Sequence, residues 1–129
     1  MRRALAIVLV LAAAAPAAAV GLGPLTAEGL TDGPRKAFYL NIMNPYPVAA
    51  EFETQTVDYD DEMPVSRVQV IPSTIKLGAG RMARLLVIAN DLAPGEMFKF
   101  RVCAERSTLP EGVAINARVC SKLSAHRVG

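Results

Sequence analysis

The sequence predicts an all-β sandwich behind a cleavable export signal, and three observations predict it. The first is a basic and apolar leader, set apart from a remainder of ordinary composition. The second is a series of turn signals with short runs of Val, Ile, Phe, Tyr and Leu between them. The third is period-two alternation within those runs, the pattern of strands with one buried face.

Met1-Arg2-Arg3 precedes an unbroken apolar run from Ala4 to Ala15, then Pro16 and the small residues Ala17-Ala18-Ala19. A basic start, an apolar centre and an Ala-x-Ala exit are the parts of a secretory signal peptide. A membrane anchor needs roughly 18 or more apolar residues to cross the hydrocarbon core, and this run is shorter. Residues 1–19 are therefore expected to be removed, leaving one domain at 20–129 with no membrane insertion after cleavage. Removal takes Arg2 and Arg3 with it, so the mature chain carries 12 basic and 12 acidic groups. Without net charge there is no general electrostatic pull toward nucleic acid. A domain of this length buries a single core and has no room for a separate cofactor lobe.

Turn signals fall at Asp32-Gly33-Pro34, Asn44-Pro45-Tyr46-Pro47, Asp60-Asp61-Glu62-Met63-Pro64, Gly78-Ala79-Gly80, Asn90 to Gly95 and Pro110-Glu111-Gly112. The runs between them predict strands at Leu25 to Leu30, Lys36 to Asn44, Val48 to Asp58, Arg67 to Ile71, Arg81 to Asn90, Glu96 to Ala104 and Val113 to Leu123. Seven strands without an amphipathic helix between them make an immunoglobulin-like β-sandwich. Phe38, Leu40 and Ile42 share one face of the second strand; Phe98, Phe100 and Val102 share one face of the sixth. In the last strand Val113, Ile115, Ala117 and Val119 point one way, and Asn116, Arg118, Cys120 and Lys122 the other.

Cys103 and Cys120 are the two cysteines, and in an exported chain their one intramolecular pairing is a structural disulfide. An antiparallel register with Cys103 opposite Cys120 puts Phe100 opposite Leu123, Val102 opposite Ser121 and Ala104 opposite Val119, matching the apolar faces of both strands. The same register sets Glu105 opposite Arg118, a favourable cross-strand pair. A slip of one residue would set apolar faces against polar ones.

Three motifs read as structure. Gly78-Ala79-Gly80-Arg81-Met82-Ala83 matches a dinucleotide-binding glycine pattern, but the apolar run after it reads as a strand where that motif needs a helix. Asp58, Asp60, Asp61 and Glu62 lack the Gly and Glu spacing of a calcium loop and read as a solvated turn. His126, the one histidine, has no partner set for zinc or for a nucleophile. The sequence argues against an enzyme and calls for no cofactor and no metal.

The segment from Val70 to Gly80, with Pro72 and Leu77, followed by the strand from Arg81 to Ile88, resembles the N-terminal immunoglobulin-like domain of periplasmic pilus-assembly chaperones of the chaperone-usher pathway. The Asp32-Gly33 turn, the strand ending at Asn44 and the alternating last strand before Lys122-Leu123 fit the same order. The resemblance implies a periplasmic chaperone whose last strand pairs with a pilus subunit or similar secreted β-protein. By β-augmentation, Val113, Ile115 and Ala117, with Val119 as a fourth, would fill the partner's pockets. It also implies that Lys122 anchors the partner's terminal carboxylate. The family places an Arg in the first strand for the same purpose, and here Glu28 stands at that position, where an acid repels a carboxylate. A bridge such as that between Cys103 and Cys120 resembles one found in some members.

The same alternation also fits a strand packed on the domain's own core. A second reading makes the chain a structural component of a pilus or envelope assembly built on the same fold.

Overall fold

The computed structural model describes residues 20–113 and 116–129; the expected leader and Ile115 lie outside them. Among the described residues the chain forms nine strands and no helix. β1 (Gly21–Gly23), β3 (Lys36–Met43), β5 (Val68–Ile71) and β7 (Met82–Ala89) build a four-stranded sheet in the order β1-β3-β7-β5. β2 (Thr26–Thr31), β4 (Ala50–Asp58), β6 (Thr74–Leu77), β8 (Met97–Arg106) and β9 (Val119–Arg127) build a five-stranded sheet in the order β2-β9-β8-β4-β6.

The sandwich is as expected, but it has nine strands where the turn signals suggested seven. Prolines account for the difference, because a residue without an N–H interrupts a ladder. The first predicted strand begins earlier than Leu25 and is broken at Pro24, so that β1 pairs antiparallel with β3 while β2 pairs parallel with β9. Pro72 acts in the same way. Before it β5 pairs with β7 in one sheet; after it β6, which the sequence reading did not separate, pairs with β4 in the other. Gly78 and Gly80 form the turn from β6 to β7, and Gly80 takes φ +67, a conformation glycine adopts without steric cost. The expected glycine turn between strands is thus present.

Period-two alternation delivers the core. Phe38, Leu40 and Ile42 of β3 and Leu85 and Val87 of β7 face Phe52, Phe100, Val102, Leu123 and Ala125 of the other sheet, all buried. Phe38 meets Phe100 edge to face with centroids 6.2 Å apart. Each large side chain so buried contributes roughly 1.5–3 kcal/mol, and together they hold the two sheets.

Two polar groups tie the sheets at their ends. Asn44, fully buried at the end of β3, donates its Nδ2 hydrogens to the carbonyls of Val48, Leu77 and Gly78 at 2.9, 3.0 and 3.1 Å. Its Oδ1 accepts the Tyr46 N–H at 2.9 Å, so one amide closes the turn into β4 and holds the exit of β6. At the other end Arg67, just before β5, grips Glu96, just before β8, through two hydrogen bonds of 2.9 and 2.8 Å. The guanidinium also donates to Asp91 O at 2.8 Å and lies 4.2 Å from the centroid of the Phe98 ring. Hydrogen bonds from Arg67, then from the Ala93 N–H, hold the Glu96 carboxyl down at about 2.

Asn44→Ala is expected to leave buried carbonyls without donors and to cost about 2–3 kcal/mol in urea denaturation. Because the folded pKa of Glu96 is depressed, its contribution is present above the unfolded value and lost as pH falls through about 2. The stability of Glu96→Gln, measured between about pH 5 and 2, should therefore fall less steeply with acid than that of the parent protein.

Candidate functional site

The site is built around β9, an interior strand of the five-stranded sheet. Its pairing with β8 has the register that the alternation of apolar residues requires: Phe100 opposite Leu123, Val102 opposite Ser121, Cys103 opposite Cys120 and Ala104 opposite Val119. Ser121, the one polar member of these pairs, is buried and donates its hydroxyl to Pro24 O. Lys122 N–H donates at 2.8 Å to Leu25 O, on the side away from β8. Since N–H groups alternate along a strand, that of Cys120 also faces away from β8, and Cys103 and Cys120 form a non-hydrogen-bonded pair. Such pairs bring side chains closest. The two cysteines are joined in a disulfide with their Cα atoms 4.0 Å apart.

The last strand differs from its expected bounds. It begins at Val119, not Val113, and continues to Arg127, not Leu123. Pairing with β2 from Lys122 to Arg127 carries it further, and at its start the ladder with β8 stops at Ala104 opposite Val119, although β8 runs on beside β4 to Arg106. Asn116 Nδ2 donates to Arg106 O at 2.8 Å, a side-chain bond where a ladder would otherwise continue. Arg118 does not meet Glu105. It pairs with Glu62 at 2.8 Å, while Glu105 accepts from Gln55 Nε2 at 3.3 Å.

Of the residues expected to be donated, Val113 is 47% exposed and Ala117 half-buried, and both line a small pocket of about 210 Å³ beside Tyr46 and Arg106. Val119 is half-buried against the core. Among the described residues, Val119, Cys120 and Ser121 have β8 on one side and no strand on the other, because β2 begins its pairing only at Lys122. A short open edge results.

Beside this edge, on the outer face of the sheet, lies a shallow pocket of about 320 Å³ lined by Thr26, Glu28, Tyr59, Lys99, Lys122 and Ser124, among others. Lys122 projects outward there, and its ammonium is 5.3 Å from the Tyr59 ring centroid. Lys99 of β8 comes to 5.4 Å from the same centroid. The loop that carries Tyr59 is held from below by Arg101, which donates to Asp58 O at 2.9 Å, to Asp61 O at 2.7 Å and to Glu62 Oε1 at 3.1 Å. Arg118, then Arg101, lowers the Glu62 carboxyl below its usual value through hydrogen bonds. The acidic stretch is consumed in this loop: Asp58 accepts from Asp60 N and Asp61 from Met63 N at 3.0 and 2.8 Å. Among the described residues no group of acidic, His or Cys side chains could hold a metal ion. His126 is the next outward position of β9 after Lys122 and Ser124, opposite Met97.

Sequence reasoning missed Lys99 and Tyr59. The register could have found Lys99, since it places that residue opposite Ser124 and diagonal to Lys122 on the outer face; nothing in the sequence marks Tyr59.

No protein-family model and no curated protein matches the chain. Solved structures do. The Salmonella enterica SafB chaperone, solved with the SafA pilin, has a TM-score of 0.68 at 17% identity over 84% of this chain and 54% of its own. The fold is PapD-like. The E. coli chaperone DraB (TM-score 0.66, 15% identity, covering 84% of this chain and 55% of its own) shows the same immunoglobulin-like architecture. This PapD-like chain spans only about half the length of those chaperones. A PapD-like domain of a human protein matches as well, with a TM-score of 0.65 at 12% identity and 84% of each chain covered. None of these three neighbours is named as an enzyme.

Thiol labelling of the unreduced, denatured protein should find no free thiol. Reduction should lower stability by roughly 3 kcal/mol, the size expected for a bridge closing a loop of this length.

Proposed function

We propose that the chain is a periplasmic chaperone-like protein, exported through a signal peptide at residues 1–19, that binds a pilus subunit or similar secreted β-protein by strand pairing. The open edge at Val119–Ser121 carries this reading. There, among the described residues, β9 has no strand beside it on the side away from β8, and the outer face offers Lys122, so an added strand finds both a ladder to join and a cation for its end. Val113, Ile115 and Ala117 then extend that edge toward the partner and lend their side chains to its pockets, with Val119 as the inward fourth. Chaperones of the same fold solved with a pilin or a tip adhesin subunit support a protein partner. The reading calls on no catalytic group, cofactor, metal or nucleic acid.

The second reading is a structural component of a pilus or envelope assembly built on the same fold, a fold that also occurs in a PapD-like domain of a human protein. Isolation of the protein with purified surface fibres supports that reading; its recovery from the periplasm with a bound subunit supports the first.

Ile115→Ala and Val113→Ala are expected to leave the melting temperature nearly unchanged and to weaken capture of a subunit from periplasmic extract. A loss of about 2–5 kcal/mol for Ile115→Ala, with capture intact once the variant is folded, would show that this side chain fills the domain's own core and defeat the strand-donor reading. Lys122→Ala should weaken capture only modestly, because Glu28 lines the same pocket.

A further inference from the structure

Among the described residues four strands bound the two sheets, β1 and β5 in one, β2 and β6 in the other. A long open edge invites pairing with another chain, and shortness, proline or lysine blunts it. β1 has three residues and stops before Pro24; β5 and β6 have four each, with Pro72 between them and Lys76 on β6. β2 is different. It runs six residues, Thr26–Thr31, with no proline and no lysine.

Two hydrogen bonds show which of its backbone groups are open. Lys122 N–H donates to Leu25 O, and Val128 N–H to Thr31 O. Because the N–H and C=O change sides at each residue, Ala27, Gly29 and Thr31 turn theirs toward β9, and Thr26, Glu28 and Leu30 turn theirs to the open side. The side chains of these last three lie on the outer face. Leu30 is 65% exposed there, and with Gly29, His126 and Met97, itself 56% exposed, it lines a shallow groove of about 480 Å³.

The spacing along β2 is self-complementary. A copy related by a twofold axis across this edge runs antiparallel, and the open groups of Thr26, Glu28 and Leu30 can pair only with open groups of the other chain. Centring the axis on Glu28 sets that acid against itself, and centring it on Leu30 sets Glu28 against Asp32; acids directly opposite repel. Centring it on Thr26, Ala27 or Thr31 sets Glu28 or Leu30 against Pro24 or Pro34, which have no N–H to donate. Gly29 is the centre that remains. There Glu28 of each copy meets Leu30 of the other, and each of these two pairs exchanges two backbone hydrogen bonds. The two Gly29 residues fall in the close, non-hydrogen-bonded position between them. On the outer face the two Leu30 side chains become diagonal neighbours, within reach of each other at the open sides of both grooves.

We infer that two copies of this chain join antiparallel through β2, centred on Gly29, and fuse two five-stranded sheets into one continuous sheet. The contact stands apart from the strand pairing proposed at Val119–Ser121 and needs no other protein. It is smaller than a standard interface, and its dissociation constant is about 10–100 µM.

The test is sedimentation equilibrium of the oxidised, exported protein from about 5 µM to 1 mM, with amide hydrogen exchange followed by NMR at both ends of that range. A monomer–dimer equilibrium is expected. Leu30→Lys, which guards the edge, and Glu28→Pro, which removes an outward N–H and no bond to β9, should each raise the dissociation constant by about tenfold or more. Protected amides at Ala27 and Thr31 show that each variant is folded. In the parent protein the amides of Glu28 and Leu30 should exchange more slowly as concentration rises, while that of Thr26, opposite Asp32 beyond the end of the strand, should not change. A monomer throughout the range overturns the inference, as does a dimer that both folded variants leave intact. Protection of Thr26 together with Glu28 and Leu30 rejects the Gly29 register, and concentration-dependent protection at Val119–Ser121 with none at Glu28 and Leu30 rejects β2 as the contact.

Discussion

Cys103 and Cys120 stand directly opposite each other, and their bond locks β8 to β9 in one register. Period two makes this lock decisive. With it, Leu123 and Ala125 enter the core while Lys122 and Ser124 face outward; displaced by one residue, an ammonium would enter the sandwich and two apolar side chains would meet water. The placement of Lys122 beside Lys99, the packing of Phe100 on Phe38 and the point where β2 joins β9 all follow from this one alignment. Hydrophobic alternation and the covalent link specify the same answer, which is how a sequence selects one structure over its near neighbours.

A second layer of organisation lies on the outer face. Glu62 accepts from Arg101 and Arg118, so a single exposed carboxylate joins the loop after β4, the middle of β8 and the chain just before β9. Each such pair contributes little energy by itself. Their effect is positional: the loop brings Tyr59 over the lysines, and Arg118 is turned outward just before the open edge. The acidic run that superficially suggested cation binding is spent on turns and on these arginines.

Where the sequence was legible, one face of an element was buried. β3, β7 and β8 were read nearly in place because each alternates against a dry core, and the β8 to β9 register followed from the same rule. Prolines were read as ends of elements, and the change of sheet at Pro24 and Pro72 was not visible, since a break in a ladder does not say where the chain goes next. The last strand was begun too early for a different reason. Val113 and Ala117 keep the alternation, but the ladder with β8 stops at Ala104 opposite Val119, and pairing is a property of two strands. Arg118 was assigned to Glu105 because they share a row; the longer reach to Glu62 depends on a loop conformation that no local pattern announces. Asn44 was read only as a turn former, because nothing in its neighbours reveals that three carbonyls from distant segments converge on its amide.

The parallel pairing of β2 with β9 joins Thr26 to Lys122 and Thr31 to Arg127, segments almost a whole domain apart in the chain. β9 is also flanked on both sides within its sheet, so the half-built sandwich lacks an inner strand until these last residues are available. During synthesis every earlier strand must wait with its apolar face uncovered. Closure of so long a loop is entropically costly and is repaid only when the contacts on both sides of β9 form together. Folding of this domain is for that reason a late and concerted event, completed by the strand that runs between β2 and β8.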